Sequence, residues 1–347
     1  MGIIKERNKI KKALKSSKTI FLMAHKNLDL DALGSQIGMN MILKRKKKEV
    51  YIIIDDKQHE MGVEKVLREL EGCINIIKSE EIDKYLNPIK SRNLLIILDT
   101  NKTDLVQNKS VLAKIDKKLI IDHHEIGKSS IKDAIQIIDT KVSSACEMIT
   151  NLIEYYDVEI ESYYATILLS GIVLDTNNYT LNTTSETYYT SYFLSCLGAS
   201  ARKVQYLLKQ DIEEYTERQK LMSAIETIGG KVAFTKATSR TQYRREDLAK
   251  VADTLLFFNN IEASFVIGKT GSNTIGVSAR SLGNFDINKI LSKIGGGGDQ
   301  TSGAASFENS TISKVEQELK TIIKAEVEWN GSNLYKRSKK SRKKRGY

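Results

Sequence analysis

In the first half of the chain, apolar residues gather in short, almost unbroken runs separated by stretches in which they recur at helical spacing. The runs at 19–23, 51–54, 94–98 and 118–121 are rich in Ile, Leu and Val, as strands buried on both faces of a parallel sheet are. Between them, stretches such as 32–44 keep the period of an amphipathic helix. From 185 to 228 the pattern is helical, and beyond Gly229 and Gly230 strand patterns resume at 231–235, 261–267 and 274–280. Helical patterns lie at 247–257, 286–294 and 312–327. The predicted fold class is α/β: an N-terminal parallel-sheet domain over 1–185, a helical connector over 186–228 and a smaller C-terminal α/β domain over 229–328. Residues 171–174 read either as a further strand or as the end of the helical pattern that starts near Glu161. No internal repeat is visible.

The residues at the ends of these apolar runs change the picture. The first run leads into a loop with His25, Asp29 and Asp31; the others end in Asp55 and Asp56, in Asp99, and in Asp122, His123 and His124; residues 171–174 end in Asp175. Any single Asp here has an ordinary explanation, because Asp favours strand ends, turns and caps. Of the four histidines in the chain, however, three lie at these ends, while His59 sits in a polar stretch and reads as a solvated loop residue. Loops at the carboxyl ends of parallel strands form the crevice where α/β sheets bind ligands. His25, Asp29, Asp31, Asp99, His123 and Asp175 make a mixed nitrogen and oxygen set that suits manganese better than iron or magnesium. The set is too large for one small ion. Two ions sharing a bridging carboxylate fit it, and such a pair is the usual apparatus of phosphoester hydrolysis.

In the second half, Gly295, Gly296, Gly297 and Gly298 precede a polar turn and offer backbone N–H groups to a phosphate, with Arg280 and Ser302 as further contacts. The alternative is a flexible linker. A substrate held between the two domains would explain why the chain has both. A hydrophobic fraction of 41% with 28% charged residues excludes general disorder. No apolar run approaches a membrane span and no signal-peptide pattern opens the chain, so a cytoplasmic location is expected. The three cysteines are far apart and read as small buried hydrophobes. Of the net charge of +11, eight positive charges fall in 336–345. The remainder is only mildly basic, so net charge does not mark the folded part as a nucleic-acid binder. The tail, 329–347, is expected to be disordered, either merely solvated or in weak contact with RNA or an anionic membrane surface.

The stretch 25–32, the isolated Asp99, the triplet Asp122, His123 and His124, and Asp175 with the two residues after it resemble the four motifs of the DHH phosphoesterase superfamily. Residues 278–283 and 295–305 resemble its DHHA1 substrate-binding domain, so the likeness covers roughly 11–327. Stretches 143–147, 175–181 and 261–267 are most similar to the catalytic part of the membrane-bound cyclic di-AMP phosphodiesterases, which carry transmembrane, PAS and degenerate GGDEF segments ahead of this part; this sequence shows none. The resemblance implies two manganese ions per chain, the first on His25, Asp29 and Asp99, the second on Asp31, Asp99, His123 and Asp175, with Asp99 as the bridge. It also implies that His124 faces the scissile phosphate and that Asp122 orients a neighbouring imidazole.

The expected function is manganese-dependent opening of cyclic di-AMP to pApA, with further cleavage to AMP left open. The alternatives are a hydrolase of short oligoribonucleotides or of 3′-phosphoadenosine 5′-phosphate, and a nucleotide- or RNA-binding protein with little catalysis. A homodimer is left open. Three departures from the family pattern stand out: Leu28 for a usual proline, Asn101 where a histidine is common, and Asp299 in the place of the histidine of a Gly-Gly-Gly-His motif. Asp299 is expected to turn away from the phosphate and leave the glycine N–H groups to hold it.

Overall fold

The computed structural model describes residues 2–55, 59–238 and 241–344, with side chains as far as 329. It divides into two compact units, the division falling between Gln210 and Asp211.

The first unit contains α1 (Gly2–Lys5), α2 (Arg7–Lys15), β1 (Thr19–Met23), α3 (Leu30–Arg45), β2 (Glu49–Ile53), α4 (Met61–Glu69), β3 (Ile76–Ile77), β4 (Asn93–Leu98), α5 (Lys109–Lys114), β5 (Lys118–Asp122), β6 (Ile135–Ile138), α6 (Ala145–Tyr155), α7 (Ser162–Asp175), α8 (Ser185–Cys196) and α9 (Ala201–Leu207). Its six strands pair in the order β3-β2-β1-β4-β5-β6, and every pairing is parallel. Successive side chains of a strand point to opposite faces. Ile20 and Leu22 accordingly join a large core with α3, α6 and α7, whereas Phe21 and Met23 join a second core with α5. β1 and β4 are buried along their whole length, which is why their sequences lack the alternation of a half-exposed strand. The chain leaves β1 toward β2 and resumes at β4 on the other side. The switch point of the sheet therefore lies between β1 and β4, and ligands of open α/β sheets bind at the carboxyl ends of such strands. Asp175 closes α7, so the apolar stretch before it is the end of a helix and not a strand.

The second unit contains α10 (Ile212–Met222), β7 (Glu226–Ile228), β8 (Val232–Lys236), α11 (Arg245–Leu255), β9 (Ala263–Lys269), β10 (Thr274–Ser281), α12 (Ile287–Ser292), β11 (Gly297–Gly298), β12 (Ser302–Glu308) and α13 (Ile312–Lys344). Its sheet runs β11-β12-β10-β9-β8-β7, antiparallel except for β8 and β9, which α11 links by a crossover. Phe234, Phe265 and Phe285 fill one core with α12 and α13, and Leu248, Val251 and Leu255 of α11 fill the other.

Two stretches differ from the sequence reading. Residues 186–228 are not a separate connector: α8 and α9 pack on α7, and α10 packs on α11, with Thr187, Thr190 and Leu194 of α8, Val204 and Leu207 of α9, and Arg218 and Leu221 of α10 buried. The backbone of the expected disordered tail continues as α13 to Lys344, since Lys and Arg are good helix formers and no proline interrupts them; its side chains from 330 on, and residues 345–347, lie outside the described residues. Among the described residues no helix is long and apolar enough to cross a membrane.

Candidate metal centre

His25 lies two residues beyond the end of β1. Its Nδ1 lies 2.8 Å from the Lys26 carbonyl, and an N–H donated there leaves Nε2 as a ligand atom. That Nε2 sits 3.2 Å from Asp99 Oδ2 and 3.6 Å from Asp29 Oδ2. Asp29 is the N-cap of α3: its Oδ1 accepts from the N–H groups of Asp31 and Ala32 at 3.0 and 2.9 Å, so only Oδ2 remains for His25. Asp31 is fully buried. Its two oxygens accept from Ala145 N and Cys146 N, each at 2.7 Å, which are orphan donors of the first turn of α6. Helices α3, α6 and α7 close tightly here: a Cβ on Gly171 would lie 2.5 Å from Cys146 Sγ and 2.9 Å from Asp31 Cα.

Asp99, at the end of β4, has φ of 58°, a left-handed conformation that costs a non-glycine residue energy and is found where function holds it. His123 Nε2 lies 3.2 Å from Asp99 Oδ1 and 3.2 Å from Asp175 Oδ2. Both Asp99 Oδ1 and His123 Nε2 are buried without a hydrogen bond. Two orphaned buried atoms that face each other suit a shared cation, which would satisfy both. His25, Asp29 and Asp99 offer ligand atoms that lie within 4.8 Å of one another, and so do Asp31, His123 and Asp175; Asp99 also groups with Asp122, His123 and His124. Asp99 thus joins the two halves of the site, and the donor set, imidazole and carboxylate without thiolate, fits a divalent ion such as manganese.

The electrostatics agree with a cation site. Burial pushes the imidazoles of His25 and His123 down, but the carboxylates beside them, Asp29 and Asp99 for the first and Asp175 and Asp99 for the second, outweigh burial and hold both well above their usual range. Burial pushes Asp29 up to about 6 against the pull of His25. It drives Asp31 well up too, with Asp99 and Asp175 adding to the effect. For Asp99 burial also opposes ionisation, yet His123 and His25 hold its carboxyl well below the usual range. Without a cation, protons compensate this crowd of carboxylates, and an ion that binds must displace them.

Asp122 is fully buried and His124 half-exposed. Asp122 Oδ1 accepts from His124 Nδ1 at 2.8 Å and from His124 N at 3.2 Å, which orients the ring and leaves Nε2 facing outward. Asp122 Oδ2 accepts from Asn101 Nδ2 at 2.6 Å, Asn101 Nδ2 lies 3.0 Å from the His124 carbonyl, and Asn101 Oδ1 accepts from Ser130 Oγ at 2.5 Å. Sequence reasoning singled out Asn101 only as a departure from a family pattern and the α6 N-terminus only as a likeness over 143–147, without its role beside Asp31, and missed Ser130. The signal for the α6 N-terminus was Ser144 as an N-cap, whose side chain accepts from Glu147 N. Asp55 is not part of the site: it accepts from Ser79 N and Asn108 Nδ2. Asp56 lies outside the described residues, and His59 is half-buried.

In the second unit, the candidates near the glycine run have local partners. Gly295 has φ of 78° and ends α12, where Gly296 N donates to Leu291 O at 2.9 Å, a use of glycine at a helix stop. Gly297 and Gly298 pair with Ala304 and Gly303 as β11. Asp299 caps the hairpin turn: Oδ1 accepts from Thr301 N, Thr301 Oγ1 and Ser302 N, and Oδ2 from Ser302 Oγ, all within 2.9 Å. Burial pushes this carboxyl up, but the bonds from Ser302 and Thr301 outweigh it and hold it below its usual range. Arg280 Nε donates to Asp253 Oδ1 at 2.8 Å.

A model of the DHH family, N-terminal domain, matches residues 19–172, and a DHHA1 domain model matches 229–329. The chain is 34% identical to the cyclic-di-AMP phosphodiesterase GdpP of Geobacillus thermodenitrificans over 90% of this chain and 48% of that protein. It is 32% identical to the cyclic-di-AMP phosphodiesterase PdeA of Listeria monocytogenes, over 93% of this chain and 49% of that protein. It thus spans about half the length of these curated relatives. The bifunctional oligoribonuclease and PAP phosphatase NrnA of Thermus thermophilus is 23% identical over 89% of this chain and 90% of its own. An exopolyphosphatase-related protein from Bacteroides fragilis has the same fold, with a TM-score of 0.76 at 19% identity over 93% of this chain and 97% of that chain. With a DHH domain followed by a DHHA1 domain, which together take in well over half of its residues, the chain belongs to the DHH/DHHA1 phosphoesterase superfamily.

Proposed function

We propose that the chain is a manganese-dependent phosphodiesterase that hydrolyses cyclic di-AMP to pApA. The observation that carries this reading is the Asp99 carboxylate, with one oxygen beside His25 and the other beside His123. His25, Asp29 and Asp99 would hold one ion, and Asp31, Asp99, His123 and Asp175 the other. Such a pair, when bound, supplies Lewis-acid polarisation of phosphate oxygens and a water acidic enough to act as nucleophile. The protein's own part is positional. The α6 N-terminus fixes Asp31, the start of α3 fixes Asp29, and the Lys26 carbonyl fixes the tautomer of His25. His124, held by Asp122 at Nδ1, presents Nε2. Burial pushes its imidazole down, but Asp122 and Asp99 carry it above the usual range, and the Nδ1 bond to Asp122 suits the ring to donate to a phosphate oxygen or the departing 3′ oxygen. Arg280, Ser302 and the glycines 295–298 are proposed substrate contacts of the second unit. The relatives named for cyclic-di-AMP hydrolysis support this choice of substrate.

A second reading, hydrolysis of short oligoribonucleotides or of 3′-phosphoadenosine 5′-phosphate, is supported by the Thermus thermophilus relative, of which the chain covers 90%. One panel separates them: turnover of cyclic di-AMP, pApA, short RNA and the bisphosphate nucleotide, each with manganese and with chelator. Preferred cleavage of cyclic di-AMP supports the first reading; no manganese-dependent turnover of any of the four refutes both.

A further inference from the structure

We propose that the amino-terminal end of the first unit's sheet, opposite the metal centre, binds a single-stranded nucleic acid. Because β1, β2, β4 and β5 are parallel, the loops that enter them share one end. Residues 44–48, before β2, are five consecutive cations, and Lys15 and Lys18 before β1 and Lys90 before β4 add to them. These loops touch: Lys48 Nζ donates to Leu14 O at 3.0 Å and Ser17 O at 2.6 Å, and Lys117 Nζ, before β5, donates to Ser17 Oγ at 2.8 Å. The one acid of the β2 entry, Glu49, accepts from Thr19 and Tyr51 hydroxyls. Burial, and then the charges of Lys11, Arg45 and Lys48, push the Lys46 ammonium below its usual range.

The face also has shape. A recess of about 430 Å³ opens there, lined by Asn40, Lys44, Arg45, Glu159 and Tyr164 over an apolar floor that includes Met41 and Val158. Asn40 in its wall is only 2% exposed. Beside the recess, Lys46 Nζ stands 3.9 Å over the ring of Tyr156, and Tyr155 is exposed. A cationic ridge next to aromatic rings and a recessed amide suits a strand whose phosphates lie on the ridge and whose unstacked base enters the recess. A flat bilayer surface does not fill a recess, whereas an unstacked base does, and Glu159 in its lining can accept from a base amine. The length of β1 separates this face from the metal centre by roughly 15 Å or more, so it is a second site and not part of the first.

The test uses the full chain in chelator, which stops hydrolysis, and fluorescence anisotropy with labelled 12-mers of RNA and of DNA over a salt series. The variant Lys46→Glu with Lys47→Glu changes two exposed side chains. It is expected to weaken binding at least about tenfold and to reduce the salt slope by about 1.4 or more, about 0.7 per lost contact. Its far-ultraviolet spectrum and its manganese-dependent turnover of bis(p-nitrophenyl) phosphate are expected to be unchanged. Tighter binding of one oligonucleotide identifies whether RNA or DNA is the ligand. Equal affinity and slope in both proteins overturns the proposal. So does inorganic polyphosphate that competes as well as the oligonucleotide, or binding confined to phosphatidylserine vesicles.

Discussion

Asp99 combines three properties that belong together at a bridging ligand: a left-handed backbone, near-complete burial and a carboxylate shared between His25 and His123. Asp99→Ala is expected to cut phosphodiester turnover by about 10³-fold or more, because both ions of a two-metal site lose a ligand, and to lower manganese stoichiometry while the far-ultraviolet spectrum stays native. Turnover near wild type at saturating manganese would refute the bridge. Asn101 acts one bond further out, through Asp122 on His124. Asn101→Ala is expected to cost about 10–100-fold in kcat, the usual effect of a lost partner behind a site residue, with manganese stoichiometry and KM little changed. A variant with unchanged kcat would show that His124 orients without it.

At the scale of elements, the acids proposed as ligands also act as stops. Asp29 starts α3, and the start of α6 grips Asp31, so the helix termini and the metal centre are one construction. In the second unit, Asp299 does for a hairpin what Asp29 does for a helix. An imidazole at 299 can replace at most one of the four hydrogen bonds that the carboxylate accepts. Asp299→His is therefore expected to lower the thermal midpoint of the protein, at a cost of roughly 1–3 kcal/mol, rather than to tighten nucleotide binding. Calorimetry on both proteins checks it, and an unchanged midpoint with a lower KM would assign residue 299 to the substrate instead.

For the whole molecule, the buried cluster of carboxylates and imidazoles sets how stability follows pH when no metal is bound. Asp29, pushed up to about 6, holds its proton more tightly folded than unfolded, so its contribution is present below about 3.9 and is lost as pH rises to 6. His25 and His123, raised above the usual imidazole range, contribute stability that is lost as pH rises through their folded values. Asp99 has the opposite sign, but its window lies below about 3.9. Between pH 5 and 8 the site therefore acts in one direction. In chelator the melting temperature is expected to fall as pH rises from 5 to 8, and saturating manganese, which binds the deprotonated ligands, is expected to remove or reverse that fall. Thermal melts at four pH values, with and without manganese, decide it; a midpoint that rises with pH in chelator would contradict these shifts.

The sequence by itself carried the periodicities that make the strands and helices, and it carried the residue types of the candidate site, because Asp and His placed after buried runs stand out without any partner. It could not decide which ends meet. That depends on the strand order, which puts the loops after β1, β4 and β5 at one switch point and leaves Asp55, after β2, to cap a loop. Nor could it show that Ala145 and Cys146 support Asp31 across more than a hundred residues, since a backbone N–H has no sequence signature. Asp175 was legible as a candidate ligand, but the sequence left open whether a strand or a helix ends there, because a buried helix loses its 3.6-residue signature just as a buried strand loses its alternation. The positive face was hidden for a related reason. Net charge averages over the chain, whereas a parallel sheet sorts the same residues by end, collecting cations where strands begin and carboxylates where they stop.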